Sequence, residues 1–422
     1  MTLLDDCKNA LETSDEKALD SLQLQLALQP NETKLDLLGQ LMPSIETSLR
    51  QGTDASELLQ TLARDQSFDD LTRIIPVSAI HEGLYSGIPE LQQALLSLLR
   101  SDLVAQTELL YDALTLLADP ESPVGVVSGA HSALVGLVKS QDGQLAQRRL
   151  SSDPACLKVL RAMKTEVVTA SRLQGLLLDT IEQFRFPSYL YDTNDWDMYR
   201  DDPLALYVLI EYYTSLFKAD MSFVGALPDA LKRLLGFFEP DELLNSLLDS
   251  VLVQLVGVLS EDEDTLWQLD TQFKLGKRFI VDKERGLDYE FLANLSPRYI
   301  YEHYSDEVRN VPLRVETLLV YVHLCSYEPT FALLGLESSA IANLPFMARY
   351  TLLLALSESE WGLKKVLSFP SLLDAELEPQ DLNPESKQLR DLFLQRLLET
   401  NWKERAERAL NGDQAPQIEM QL

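Results

Sequence analysis

Apolar residues recur along this chain with the spacing of an α-helix. In the segment 243–259 they follow one another at offsets of 3, 4, 7, 8 and 11, so they share one stripe of a helix that a neighbour can cover. The stripe consists of Leu244, Leu247, Leu248, Val251, Leu252 and Leu255. Leu91, Leu95 and Leu98 form a further stripe that begins after Pro89. The pattern therefore predicts helix after helix along nearly the whole chain.

Signals for β-strands are almost absent. No stretch alternates apolar and polar residues with β-branched enrichment, and no hairpin turn joins two such stretches. Asp142-Gly143 falls between helical segments, and Asn411-Gly412 falls in the tail. The sequence therefore predicts an all-α fold.

Prolines divide the helical pattern at intervals of a few tens of residues. They are Pro43, Pro76, Pro120, Pro154 and Pro187. This spacing fits helical hairpins of roughly 40 residues, the period of HEAT or armadillo repeats. One such hairpin cannot bury its apolar stripe alone, so a stack of about ten would share one continuous core. We expect an α-solenoid with a convex and a concave face, and the concave face would bind a partner.

The chain has 422 residues, more than one globular core accommodates, and one segment interrupts its helical pattern. Between Phe184 and Pro203, aromatic residues alternate with aspartates. We therefore divide the chain into N-terminal repeats (1–187), an acidic aromatic connector (188–203), C-terminal repeats (204–410) and a tail (411–422).

The connector is the strongest candidate for a partner-binding site in the sequence. Aromatic rings beside carboxylates stack on and pair with Lys or Arg side chains of another protein. The alternative is structural, because a long connector also needs aromatic residues to pack its own base. The candidate contact residues are Asp192, Asp195, Trp196, Asp197, Tyr199, Asp201 and Asp202, with Tyr189 and Tyr191 beside them.

The charge of the chain limits its partners. Asp and Glu total 66 against 36 Lys and Arg, a formal net charge of -30. Such a field repels nucleic-acid phosphates and anionic lipids and attracts basic proteins, so we expect no direct binding to nucleic acid or membrane. Solubility of a large surface explains the charge equally well.

The termini and apolar windows predict an intracellular protein. Residues 1–7 lack the basic and apolar regions of a secretory signal, and the window 243–259 contains too many polar residues for a membrane span. We expect a cytoplasmic protein, with a nuclear location also open.

Signatures of catalysis and of bound cofactors fail on inspection. Cys7, Cys156 and Cys325 are too far apart for a zinc cluster, so we expect reduced core residues. His81-Glu82 lacks the second histidine of a zincin, and Gly276–Arg278 lacks the flanking residues of a P-loop. The run of four acids at 261–264 lacks the alternating ligands of a calcium loop and predicts a turn that opens the next helix. His131, His303 and His323 also fall in helical stretches, where packed or surface roles are expected. We expect no catalytic residue, metal or cofactor, and hence no enzyme.

Several segments after residue 200 resemble a known family. They are Leu209-Ile-Glu-Tyr-Tyr-Thr214, Leu269-Asp-Thr-Gln-Phe-Lys-Leu-Gly276, Leu295-Ser-Pro-Arg-Tyr-Ile300 with Tyr301 and Tyr304, and Leu344-Pro-Phe-Met347. In their order and separation over roughly 200–405, they resemble the fungal assembly chaperone of the proteasome regulatory-particle base. That HEAT-like protein is also known under a mismatch-repair name. The first half resembles it only in its helical texture.

The resemblance implies a C-shaped, right-handed stack of HEAT repeats. Its concave face would hold the C-terminal domain of one AAA ATPase subunit of the proteasome base. It would help join that subunit to its neighbour and to a large scaffold subunit, prevent premature docking on the core particle, and leave before the proteasome works. We expect a monomer when free. No contact residue transfers from the family, since the first half, where a residue-level match would be needed, offers none, and none of the quoted segments is a catalytic motif.

Two other functions remain open from the sequence. A general HEAT-repeat adaptor would bind basic extended peptides along the same groove. A factor in DNA mismatch repair is suggested by the family's other name, although the net charge of -30 opposes direct contact with DNA.

Overall fold

The computed structural model describes residues 3–412 except 54, 101–107, 142, 194, 201, 237–241, 276–287, 310 and 379–381. These residues form 29 α-helices and no strand. The predicted all-α class is confirmed. The chain divides into two compact units, residues 1–232 and 233–422. The predicted connector, 188–203, lies inside the first unit.

The first unit contains sixteen helices among its described residues, the last of which runs across the division. They are α1 (Leu3–Thr13), α2 (Glu16–Ala27), α3 (Asn31–Arg50), α4 (Ser56–Ala63), α5 (Phe68–Ile74), α6 (Val77–Leu84), α7 (Pro89–Leu96), α8 (Leu109–Ala118), α9 (Val124–Lys139), α10 (Gln144–Ser152), α11 (Pro154–Met163), α12 (Val167–Thr180), α13 (Asp197–Arg200), α14 (Pro203–Ala219), α15 (Ser222–Ala226) and α16 (Pro228–Gly236). A 3₁₀ turn, Ser188–Leu190, precedes α13.

Seven helices in the middle of the first unit pack as two layers. Helices α7, α9, α12 and α14 each contact the next and form one layer, and α6, α8 and α11 form the other. Leucines and small apolar residues fill the space between the layers, among them Leu114, Ala130, Leu134 and Leu176 at 0 % exposure. Stacked helical pairs with a shared core are the arrangement of an α-solenoid.

The second unit contains thirteen further helices among its described residues. They are α17 (Glu242–Leu259), α18 (Glu263–Phe273), α19 (Asp288–Asn294), α20 (Pro297–His303), α21 (Ser305–Val308), α22 (Leu318–Leu324), α23 (Glu328–Leu333), α24 (Ser338–Ala342), α25 (Phe346–Ser357), α26 (Glu360–Leu367), α27 (Pro370–Leu377), α28 (Pro384–Leu397) and α29 (Lys403–Gly412). Helices α17, α19, α22, α25 and α28 contact one another in succession, and α20 and α23, α24 and α27, and α27 and α29 pair in the other layer.

Short polar residues and prolines fix where many helices begin. The side chain of Asp202 accepts hydrogen bonds from the Leu204 and Ala205 amides, and Pro203 takes the first helical position of α14. Asp262 caps α18 in the same way by accepting from the Thr265 amide. The acidic run at 261–264 is therefore the turn that opens the next helix, as predicted.

The structure corrects three local predictions. Pro43 does not break the chain but lies inside α3, which continues to Arg50. The helix that carries Leu91 and Leu95 ends at Leu96, although Leu98 is still buried at 4 % exposure. Residues 411–412, assigned to the tail, complete α29. Residues 413–422, Asp142 and the side chains of Leu244 and Leu247 lie outside the described part of the structure.

Candidate functional site

The acidic aromatic segment 188–203 lies on the first unit with its rings turned into the protein. Trp196 stacks on Tyr213 of α14 with ring centroids 5.6 Å apart and planes 11° apart, and it is only 9 % exposed. Tyr199 is 3 % and Tyr191 1 % exposed. Tyr191 also packs on Phe223, at 4.6 Å between centroids. Three of the four rings that marked this segment in the sequence therefore pack its own base, which is the structural alternative.

Hydrogen bonds attach the backbone of the segment to α14. The Tyr213 hydroxyl accepts from the Thr193 amide at 3.2 Å and donates to the Asp192 carboxylate at 3.3 Å. The Tyr212 hydroxyl donates to the Tyr191 carbonyl at 3.1 Å. Burial raises the pKa of both Tyr212 and Tyr213 well above that of a free phenol. Both hydroxyls are thus structural groups that hold the segment in place.

The fourth ring, Tyr189, is 38 % exposed, but the chain already supplies a cation for it. The Arg161 guanidinium lies 4.7 Å from the ring centroid and donates a 3.0 Å hydrogen bond to the Tyr189 hydroxyl. Lys164 is buried beneath and donates to the Tyr189 carbonyl. Burial lowers the pKa of Lys164, and the nearby Asp192 carboxylate opposes that shift.

The aspartates of the segment differ in what they do. Asp195 and Asp197 are exposed, and Asp195 accepts from the Asp197 amide at 3.0 Å. Asp202 is exposed but caps α14, whereas Asp192 is half-buried and accepts from the Thr193 amide. Asp201 lies outside the described residues. Contact of these carboxylates with a partner stays a prediction, and among the described ones Asp195 and Asp197 have no role in anchoring α14.

In the second unit, two of the segments quoted for the family resemblance meet at a buried carboxylate. Asp270 is 9 % exposed, and it accepts hydrogen bonds from the Tyr299 hydroxyl at 2.8 Å and from the Tyr304 hydroxyl. Burial and the Asp270 carboxylate raise the pKa of both tyrosines. One internal polar cluster therefore joins the segments 269–276 and 295–304. It explains why Asp270, Tyr299 and Tyr304 occur in them.

A third quoted segment, 344–347, lies at another buried carboxylate. Glu376 has 0 % exposure, pairs with Arg349 at 2.8 Å and accepts from the Tyr350 hydroxyl at 2.6 Å. Arg349 also donates to the Leu344 carbonyl at 3.0 Å. A buried carboxylate is costly unless it is paired and hydrogen-bonded, which explains why these residues occur together.

Beside Asp270, three rings form a column that the sequence pattern did not predict. His303 lies between Tyr299 and Trp267, with its centroid 4.4 Å from Tyr299 and 4.5 Å from Trp267. Trp267 is 51 % exposed, the highest value among the described Phe, Tyr and Trp residues. The sequence does indicate where Trp267 lies. It follows the Asp262 cap by five residues and so lies on the second turn of α18. Its pairing with His303 depends on tertiary packing.

The described residues hold no group of three His, Cys, Asp or Glu side chains that could bind a metal ion. The nearest approach to a catalytic pair is His81, whose Nδ1 lies 2.7 Å from the buried carboxylate of Asp112. Tyr85 donates to the same carboxylate at 3.2 Å, so both groups satisfy a buried charge. The near-miss P-loop, 276–278, lies outside the described part of the chain. In that part, no helix is long and apolar enough to cross a membrane.

The three cysteines are free thiols in the core, as predicted. Burial raises the pKa of Cys7 and of Cys156 to about 11, and that of Cys325 to about 12. The thiolate is the nucleophilic form, so none of the three is suited to covalent catalysis near neutral pH.

Comparison with known proteins places both halves of the chain in one family. Residues 1–218 match the N terminal domain, and residues 237–406 the C terminal domain, of "DNA mismatch repair protein HSM3". A relative of that name from Kluyveromyces lactis is 23% identical over 400 residues, 86% of this chain and 82% of the relative. Another, from Candida albicans, is 26% identical over 263 residues, 58% of this chain and 55% of the relative. The chain therefore spans about half the length of the Candida relative in that match. The two domain matches leave only short stretches uncovered, and the resemblance that rested on segments after residue 200 extends to the first half: the chain belongs to the HSM3 family.

Proposed function

We propose that this protein is an assembly chaperone for the base of the proteasome regulatory particle. It would bind the C-terminal domain of an AAA ATPase subunit and prevent that subunit from docking too early. The observation that carries the proposal is the family match over both domains, because the segments at 209–214, 269–276, 295–304 and 344–347 resemble the chaperone of that family.

The described structure is compatible with this role in two respects. Each unit is a two-layer stack of helices, and such stacks present long continuous faces to a folded helical domain. The net charge of -30 favours encounter with a basic partner surface.

A chaperone of this kind acts by occupying surface. While it is bound, it would shield the ATPase tail region from the core particle, and a predicted concave face would suit the ATPase domain. A large scaffold subunit would join the same intermediate, and the chaperone, a monomer when free, would leave when the base is complete. No bond is made or broken, so the role requires no nucleophile.

Purification of the tagged protein from its own cells tests the proposal. We expect free base ATPase subunits and the large scaffold subunit to copurify in excess over finished proteasome, as measured by quantitative mass spectrometry. Equal recovery of finished proteasome, or absence of the ATPase subunits, would contradict it. Binding of isolated basic peptides on an array, without need for a folded ATPase domain, would favour the general adaptor instead.

A second function is favoured by one observation, the name of the two relatives, DNA mismatch repair protein HSM3. A direct role on DNA conflicts with the acidic charge, since phosphate contacts by Lys and Arg supply most non-specific affinity. A gel-shift titration at low salt, with matched and mismatched duplexes, decides this. Affinity that weakens steeply with salt would establish direct binding, and we expect none.

A further inference from the structure

The ring column of the second unit (Tyr299, His303 and Trp267) ends at Trp267, whose indole ring is partly exposed to solvent. The imidazole of His303 lies 4.5 Å from the indole centroid of Trp267 with the planes 21° apart, so it covers one face of the indole. Tyr299 also packs on the imidazole, at 4.4 Å between centroids, and its hydroxyl donates to Asp270 at 2.8 Å. Trp267 is therefore held in place from beneath while half of its surface remains in solvent.

The chain places its own cation over four other partly exposed rings, whereas the exposed rings of Tyr85 and Tyr301 have none among the described residues. Four such pairs occur among the described residues: Arg161 over Tyr189 at 4.7 Å, Arg349 over Phe346 at 5.1 Å, Lys365 over Phe369 at 5.1 Å and Arg405 over Trp402 at 4.7 Å. Trp267 is more exposed than these rings, and no described Lys or Arg lies over it. Within the described part of the chain, the ring best suited to bind a cation thus has its outer face uncovered.

The charges around the column favour a cation. Helices α18, α20 and α21 together carry six carboxylates and one Lys or Arg residue, Arg298, while Lys274 directly follows α18 and Arg309 directly follows α21, where it pairs with Asp306 at 3.2 Å. Arg298 is already shared between Glu263 at 3.6 Å and Glu302 at 3.2 Å. Asp264 is exposed and lies one turn before Trp267 on α18.

We propose that Trp267 is an anchor for an arginine side chain of a protein partner. A guanidinium is planar, weakly hydrated and always charged, so it stacks on an indole and keeps its N–H groups for carboxylates at the ring edge. An ammonium ion stacks less well and is more strongly hydrated. The proposal concerns the chemistry of one contact and holds whichever protein carries the arginine, so it stands or falls separately from the proteasomal role.

The intact wild-type chain, labelled with 5-fluorotryptophan, provides the test. It contains 4 tryptophans, and fluorine NMR would give one signal for each, assigned by single Trp→Phe substitutions. The probe is N-acetyl-arginine amide, with N-acetyl-citrulline amide as its neutral match and N-acetyl-lysine amide as the compact cation. We expect the Trp267 signal to respond about two- to fivefold more strongly to the arginine probe than to the citrulline probe.

Trp402 is the matched control, because Arg405 already lies over its ring. We expect the Trp402 signal to stay unchanged in the wild-type chain and to become responsive in Arg405→Ala, which uncovers the ring. An Asp264→Asn variant keeps the Trp267 signal and should weaken its response to the arginine probe without altering the helical circular dichroism.

Three results would overturn the proposal. Equal shifts at Trp267 with the arginine and citrulline probes would show that charge plays no part. Equal shifts at Trp267 and Trp402 would show non-specific association. Much tighter binding of free L-arginine than of the amide would indicate a small-molecule site rather than a contact with a protein.

Discussion

The acidic aromatic segment and the ring column resemble each other in sequence, but they differ in structure. Both place a tryptophan among tyrosines and carboxylates. Trp196 is 9 % exposed and stacked on Tyr213, whereas Trp267 is 51 % exposed and stacked only from beneath. Aromatic and acidic composition therefore does not mark a partner site by itself. A ring is available to a partner only where no other part of the chain covers it.

The largest expected effect comes from removing the two tryptophans in turn. Trp196→Ala empties a buried site and should lower the free energy of unfolding by about 3–5 kcal/mol. Trp267→Ala removes one ring pair at a half-exposed position and should cost about 1 kcal/mol. Urea denaturation followed by circular dichroism measures both. Similar losses of unfolding free energy for the two variants would contradict the difference in burial between Trp196 and Trp267.

High pH should weaken both regions together, because both depend on buried phenols. Burial raises the pKa of Tyr212 and Tyr213 beside the segment and of Tyr299 and Tyr304 beside the column. Above the reference pKa of about 10, the unfolded chain releases these protons and the folded chain keeps them, so stability falls as pH rises.

The expected loss is about 1.4 kcal/mol per pH unit for each fully buried tyrosine. Phenolate absorbance should appear in two steps, first from exposed tyrosines and then with the loss of helix. Titration of all 15 tyrosines in one step on a still folded protein would contradict the assignment of these hydroxyls.

A smaller effect separates the carboxylates within the segment. Asp202→Ala removes the cap of α14 and should cost about 1 kcal/mol. Asp197→Ala removes a carboxylate that is 82% exposed and 3.9 Å from Arg200, and its effect should stay within about 0.5 kcal/mol. Thermal unfolding of the two variants side by side measures the difference. Equal shifts would mean that Asp202 does not act as a cap.

The smallest change expected is in partner binding when Asp195 and Asp197 are reversed in charge. Asp195→Lys with Asp197→Lys should leave folding intact and reduce recovery of base ATPase subunits by less than about twofold, through encounter rate alone. Where the ATPase subunit is the protein that carries the arginine, a Trp267→Ala preparation run in parallel should lose more. If the double reversal abolishes recovery of the ATPase subunits, the carboxylates of the segment contact the partner. The segment would then be a binding site although most of its rings are covered.

The periodicity of leucines was enough to predict the fold class, because burial of one helix face is a local property of sequence. Leu248, Val251, Leu252 and Leu255 are all buried at 1 % exposure or less, as their stripe on α17 predicts. Pro43 was wrongly predicted to break a helix on equally local grounds. A proline in mid-helix removes one hydrogen bond, and packing of Leu38, Leu41 and Ile45, each at 0 % exposure, outweighs that loss.

The candidate site was harder to predict because the relevant contacts join distant residues. Tyr213 lies 20 residues beyond Thr193, and no local pattern shows that its hydroxyl accepts a hydrogen bond from the Thr193 amide. Likewise, His303 reaches Trp267 only through the packing of α20 beside α18. The sequence indicated which residue types were present, and tertiary packing decided which aromatic rings remained exposed to solvent.

The buried thiols have a practical consequence. With pKa values of about 11 to 12 and almost no exposed surface, Cys7, Cys156 and Cys325 should react slowly with maleimides at neutral pH. A cysteine introduced on the surface would then carry a fluorophore almost alone, without prior removal of the native thiols. One such dye in each unit would turn the distance between the units into an energy-transfer signal, readable with and without a bound partner.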